Sequence, residues 1–145
     1  MEDINLLLVD DEIEFVETLA KRLNRRGFHA LYVTSARDAM ERIKGGQFDV
    51  AVVDVRMPEM DGIALLGEVK RVQPLVEVIL LTGYASIQSG IEGMKRGAFD
   101  YLMKPTDIDE LVKKIRDAYE RKKQQDEKIS RAEAKDSLAG NRPAD

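Results

Sequence analysis

The chain has 145 residues, 43% of them hydrophobic and 34% charged, with no cysteine and a formal net charge of −4. That length allows one compact domain and excludes two ordinary ones, and the missing cysteine excludes disulfides, thiolate metal sites and cysteine nucleophiles. The charge is uneven: residues 1–120 carry 16 Lys and Arg against 22 Asp and Glu, a net of −6, and residues 121–145 carry 7 against 5, a net of +2. An acidic body argues against nucleic acid as a direct partner.

Five apolar segments read as buried strands: Ile4 to Val9, His29 to Val33, Phe48 to Val53, Val76 to Leu81 and Ala98 to Met103. The first, third and fourth are almost continuous in Leu, Ile and Val, as in a parallel sheet covered on both faces. Helix-period segments lie between them. Ile13, Val16, Leu19, Ala20 and Leu23 form the first stripe, stopped by Gly27. Ala36, Ala39, Met40 and Ile43 form the second, entered through Ser35 with Asp38 three residues on and closed by Gly45-Gly46. Ile63, Leu66 and Val69 mark the third, and Ile87, Ile91 and Met94 the fourth. The clearest stripe is the fifth, Ile108, Leu111, Val112, Ile115 and Tyr119, with a capping box expected from Thr106 and Asp109.

Strict alternation of strand and helix predicts an α/β, doubly wound, flavodoxin-like parallel sheet with strand order 2-1-3-4-5. Residues 1–121 form the expected domain, and 122–145 a helical extension and flexible polar tail. Lys113-Lys114 and Arg121-Lys122-Lys123 read as a solvated helix face, and His29, the only histidine, as an ordinary residue opening the second strand. No apolar run approaches the roughly 20 residues that span a bilayer. The acidic start Met1-Glu2-Asp3 is unlike a signal peptide, so no membrane contact and a cytoplasmic location are expected.

In such sheets the ligand site lies at the C-terminal ends of the strands. Those ends carry Asp10-Asp11-Glu12, Asp54, Thr82-Gly83 and Lys104-Pro105. Crowded carboxylates raise each other's pKa values unless a cation neutralises them, and an all-oxygen ligand set describes a Mg²⁺ site. Lys104 adds a compact positive charge and Thr82 a hydroxyl donor. An Asp nucleophile, a metal, an ammonium and a hydroxyl are the parts an aspartyl phosphate needs.

The chain here resembles the receiver domains of two-component response regulators, and more finely those of sigma-54-dependent activators. The matching residues are Val9-Asp10-Asp11-Glu12, Val53 through Gly62, Leu81-Thr82-Gly83-Tyr84 and Gly97 through Pro105. The resemblance implies that Asp54 is the phosphoacceptor and that Asp11, Asp54 and the backbone carbonyl of Arg56 are direct Mg²⁺ ligands, with Asp10 acting through water. It implies that Thr82 and Lys104 sense the phosphoryl group, that Tyr101 is a switch aromatic, and that the Lys104-Pro105 bond is cis. The implied function is a phosphorelay module, not an enzyme that turns over a separate substrate. Asp54 would take its phosphoryl group from a sensor histidine kinase or phosphotransfer protein. The surface of helix 4, strand 5 and helix 5 would then act on a downstream target or a missing output domain, and a phosphorylation-dependent homodimer fits the same scheme. A D-x-D-x-T phosphohydrolase is disfavoured because Arg56 stands where the second Asp would be. A pseudo-receiver is disfavoured because every expected polar residue is present. Two further expectations concern bulk and softness. Arg56 and Tyr84 would shield the phosphoryl group from water, and Gly90 and Gly93 would leave the fourth helix marginal.

Overall fold

The computed structural model describes residues 3–83 and 86–140, without the side chains of 137–140. Its elements alternate as expected: β1 (Asn5–Val9), α1 (Ile13–Arg25), β2 (His29–Val33), α2 (Ala36–Lys44), β3 (Val50–Val53), α3 (Gly62–Val72), β4 (Glu77–Thr82), α4 (Ile87–Lys95), β5 (Asp100–Met103) and α5 (Ile108–Gly140). The five strands are parallel in the order β2-β1-β3-β4-β5.

Side chains alternate across a strand, so a run that is apolar throughout must feed two cores. Leu6, Leu8, Val50, Val52, Ile79 and Leu81 face one layer with α1 and α5. Leu7, Val9, Ala51, Val53, Val78 and Leu80 face the other, against α2 and α3. The register sets Leu8 opposite Val52 and Val52 opposite Ile79, which brings the strand ends level. Asp10, Asp54 and Thr82 therefore emerge along one edge of the sheet.

The helix boundaries follow local chemistry. Ser35 accepts from the Asp38 amide at 3.1 Å and starts α2 as its sequence suggests. Gly27, Gly46 and Gly97 end their helices at φ of 94°, 76° and 100°, where a side chain is strained. The start of α5 differs from expectation. Asp107, not Thr106, takes the capping position, its carboxylate accepting from the Asp109 amide at 3.1 Å and its carbonyl from the Leu111 amide. Asp109 pairs instead with Arg26 at 2.7 Å.

Two other features go beyond the sequence reading. Ile87, Ile91 and Met94 do not face the core; they are 85%, 52% and 49% exposed. What α4 buries is Gly93, where an added Cβ would lie 2.5 Å from Leu80 Cδ1, so close packing explains that glycine. Nor is the basic run on α5 freely solvated. Lys114 pairs with Asp100 at 2.8 Å, Arg121 with Glu77 at 3.3 Å and Lys122 with Asp49 at 3.0 Å. The helix continues without a break to Gly140, and residues 141–145 lie outside the described residues. Among the described residues no helix is long and apolar enough to cross a membrane.

Candidate functional site

β1 delivers Asp10, and the amide of Glu12 donates to Asp10 Oδ1 at 2.9 Å, turning the chain into α1. β3 delivers Asp54, whose amide donates to the Val9 carbonyl at 2.9 Å and extends the β1–β3 ladder by one residue. The turn after Asp54 is tight. Gly62 donates to the Val55 carbonyl at 2.7 Å, and a Cβ at Gly62 would fall 2.1 Å from the Asp54 carbonyl oxygen. Only glycine lets the start of α3 come so near the backbone of Asp54. β4 delivers Thr82, and the Lys104 amide donates to the Thr82 carbonyl at 2.8 Å. The Lys104-Pro105 peptide is cis.

The side chains converge in a nearly dry place. Asp10, Asp54 and Thr82 are 4%, 5% and 1% exposed. The Lys104 ammonium lies 2.6 Å from Asp10 Oδ2 and 3.1 Å from Glu12 Oε1, and 4.2 Å from the centre of the Phe15 ring. Carboxylate oxygens of Asp10, Glu12 and Asp54 all lie within 4.8 Å of one another. Asp54 also accepts from the Thr82 side chain and the Arg56 amide.

Burial is the main reason the Asp54 carboxyl is pushed above its ordinary range; the Lys104 charge and the two hydrogen bonds pull the other way without overcoming it. Burial likewise pushes the Asp10 carboxyl up, and the Asp54 charge adds to it, against the opposing pull of Lys104 and the Glu12 amide. Burial alone would lower Lys104, but its hydrogen bonds to Asp10 and Glu12 and the charges of Asp10 and Asp54 outweigh that and lift it. The site thus holds more negative charge than one ammonium offsets. Buried carboxylates without enough positive charge, offering oxygen donors alone, fit a hard divalent cation such as Mg²⁺.

Asp10, Asp54, Thr82 and Lys104 are therefore brought together as the sequence suggested. Asp11 is exposed, and its charge reaches Asp54 as the smallest of the influences on it. The close trio contains Glu12 instead, to which no role was given although it stands in the same acidic run. Phe15 and Gly62 were missed as well. The Phe15 contact depends on a fold-back across 89 residues that no local pattern shows, whereas the glycine follows Asp61, which caps α3 by accepting from the Ala64 amide at 2.8 Å. The Arg56 side chain is exposed, and Tyr84 lies outside the described residues. Tyr101 is half-buried, its ring about 3.6 Å from where a Gly90 Cβ would stand and its hydroxyl accepting from the Ser86 amide at 3.3 Å. Beside it Ile87, Ile91, Met94 and Met103 line an open apolar groove of about 830 Å³.

Comparison with known proteins agrees with this geometry. Residues 6–116 match the family model described as the response regulator receiver domain. Over 110 residues the chain is 41% identical to the transcriptional regulatory protein ZraR of Escherichia coli K12, which covers 76% of this chain and 25% of that protein. The chain thus spans about a quarter of the length of the curated relatives it matches. Among solved structures, the beryllofluoride-activated NtrC4 receiver domain dimer has a TM-score of 0.77 at 32% identity, covering 81% of this chain and 98% of that one. A response regulator from Burkholderia pseudomallei, with a phosphorylated aspartic acid, calcium ion and citrate, has a TM-score of 0.75 at 27% identity, covering 96% of this chain and 86% of that one.

Proposed function

The chain belongs to the response regulator receiver domain family of two-component signalling, among relatives of sigma-54-dependent activators, and from that premise we propose that Asp54 is its phosphoacceptor. The observation that carries this is a carboxylate 5% exposed at a strand end, bonded by Thr82 and flanked by the Lys104 charge. An Asp54 oxygen attacks the phosphorus of a phosphohistidine on a sensor histidine kinase or phosphotransfer protein. The P–N bond breaks, an acyl phosphate forms on Asp54, and the departing imidazole takes up a proton. Mg²⁺, when bound, neutralises charge on the phosphoryl oxygens. Asp54, Asp11 and the Arg56 carbonyl are the proposed direct ligands and Asp10 a ligand through water; Glu12 lies close enough to join them.

Lys104 exchanges its Asp10 and Glu12 contacts for a phosphoryl oxygen, and Thr82 turns its hydroxyl from the Asp54 carboxylate to another. Tyr101 answers that movement at the α4–β5 groove, whose exposed Ile87, Ile91, Met94 and Met103 offer an apolar surface for an output domain, a downstream protein or a second receiver. The dimeric NtrC4 receiver supports the last of these. The product is the modified domain itself, so it acts as a signalling module, and a cytoplasmic location belongs with a kinase partner. Incubation with Mg²⁺ and a small acyl phosphate, followed by intact mass, tests the proposal. One phosphoryl group should be added, and none without Mg²⁺ or in Asp54→Ala. No adduct on the wild-type chain would leave a binding module that is not phosphorylated.

A further inference from the structure

The apolar packing of α5 ends early. Leu111, Val112, Ile115 and Ala118 are buried, Tyr119 is partly so, and from residue 120 to 136 the helix is exposed apart from Lys122. A helix of that length without tertiary contacts is marginal in water, so something else must fix where it points. The base of the sheet offers two buried or half-buried acids. Glu77, 5% exposed, opens β4, and Asp49 immediately precedes β3. Glu77 Oε1 accepts from Lys70 at 3.1 Å, while the same ammonium donates to the carbonyls of Pro74 and Val76. Glu77 Oε2 accepts no hydrogen bond among the described residues; the charge that faces it is Arg121 Nε at 3.3 Å, and that guanidinium also lies over the Phe99 ring. Asp49 Oδ2 accepts from the Asn5 amide at 2.8 Å, leaving Oδ1 to Lys122 at 3.0 Å.

We propose that Asp49 and Glu77 latch Lys122 and Arg121 to the base of the sheet, so that α5 leaves the domain in a fixed direction and rotational phase. Adjacent helix residues project about 100° apart, so two anchors at consecutive positions restrain both bending and rolling. The acceptors open β4 or immediately precede β3, the strands that lead to Thr82 and Asp54 at their other ends, so the helix is referenced to the base of the sheet. The Arg121 contact is modest, since that side chain is about half exposed, and the effect of the pair is one of geometry more than of global stability.

The latch does not depend on phosphorylation, so its test is separate from that of Asp54. Spin labels at exposed Glu41 on α2 and Lys128 on α5 report the direction of the helix by pulsed electron resonance on the full chain. A narrow distance distribution is expected for the otherwise wild-type chain, and one at least twice as broad in Arg121→Gln/Lys122→Gln, a pair whose loss leaves the core intact. Amide exchange in residues 121–130 should rise at least tenfold in the same variant, with residues 108–116 unchanged. Asp49→Asn/Glu77→Gln, removing the acceptors instead, should act the same way. An unchanged distribution and unchanged exchange in Arg121→Gln/Lys122→Gln would overturn the latch, as would slower exchange at 121–130.

Discussion

At their C-terminal ends β3 and β4 carry Asp54 and Thr82; at or beside their N-terminal ends the same strands carry Asp49 and Glu77. At the base each acid has its own cations: Lys70 and Arg121 for Glu77, and Lys122 for Asp49. At the other end Lys104 touches both Asp10 and Glu12 and faces Asp54, whose carboxyl stays raised by burial. The base is closed electrostatically and suits a structural role. The top is short of positive charge and suits a cation and a chemical group that brings its own donors and acceptors. Buried acids alone do not mark a site; the imbalance around them does.

That contrast can be broken from either side. The largest effect is expected from Gly62→Ala. Its Cβ would meet the Asp54 carbonyl oxygen at 2.1 Å, a backbone atom that no rotamer change can move. Loss of about 3 kcal/mol or more in denaturant unfolding, with loss of phosphoryl acceptance, is the expected outcome. Lys104→Ala removes the ammonium that touches Asp10 and Glu12 at the top and should slow phosphoryl transfer on the order of 100-fold in a quenched time course. A rate unchanged from wild type would mean that the top does not use its lysine. Glu77→Ala acts at the base. It removes the carboxylate partner of Arg121 and of Lys70, which keeps its bonds to the Pro74 and Val76 carbonyls, so it should cost about 1 kcal/mol and leave the transfer rate where it was.

The smallest and most selective effect is on the pH dependence of stability without metal. Asp10 and Asp54 have folded pKa values raised above the ordinary 3.8. Between the unfolded and folded values the native state holds more protons, so stability falls as pH rises through that window and the deficit persists at neutral pH. Asp54→Asn should lessen the fall and raise the melting temperature of the metal-free protein at neutral pH. Mg²⁺ should stabilise the wild type there and the variant far less. A melting temperature lowered by Asp54→Asn would reverse the charge imbalance assigned to the top.

How much of this was legible follows from what each feature rests on. Continuous apolar runs could be read as a parallel sheet because both faces must be filled, and Leu7 and Leu8 do fill opposite layers. The site residues were legible because strand ends are marked by the abrupt change from Val9 to Asp10, Val53 to Asp54 and Leu81 to Thr82. The α4 stripe was legible as a helix but its facing was not, because period alone does not say which way an apolar face turns. Gly93 against Leu80 settles that, leaving Ile87 and Ile91 outward. The ion pairs of Arg121 and Lys122 were invisible because their acceptors lie 44 and 73 residues away in sequence. Glu12 stood in the recognised acidic run, but its place beside Lys104 depends on a turn that only the fold supplies.

The central claim concerns one side chain, and it is tested most directly by locating the phosphoryl group. The acyl phosphate formed with Mg²⁺ and a small donor can be reduced with borohydride, which converts a phosphorylated aspartate to homoserine, and the product mapped by peptide sequencing in the mass spectrometer. Homoserine at position 54 alone, with Asp10, Asp11 and Glu12 intact, is the predicted result. Homoserine at position 10 or 11, or a reduced glutamate at position 12, with Asp54 unmodified would contradict it.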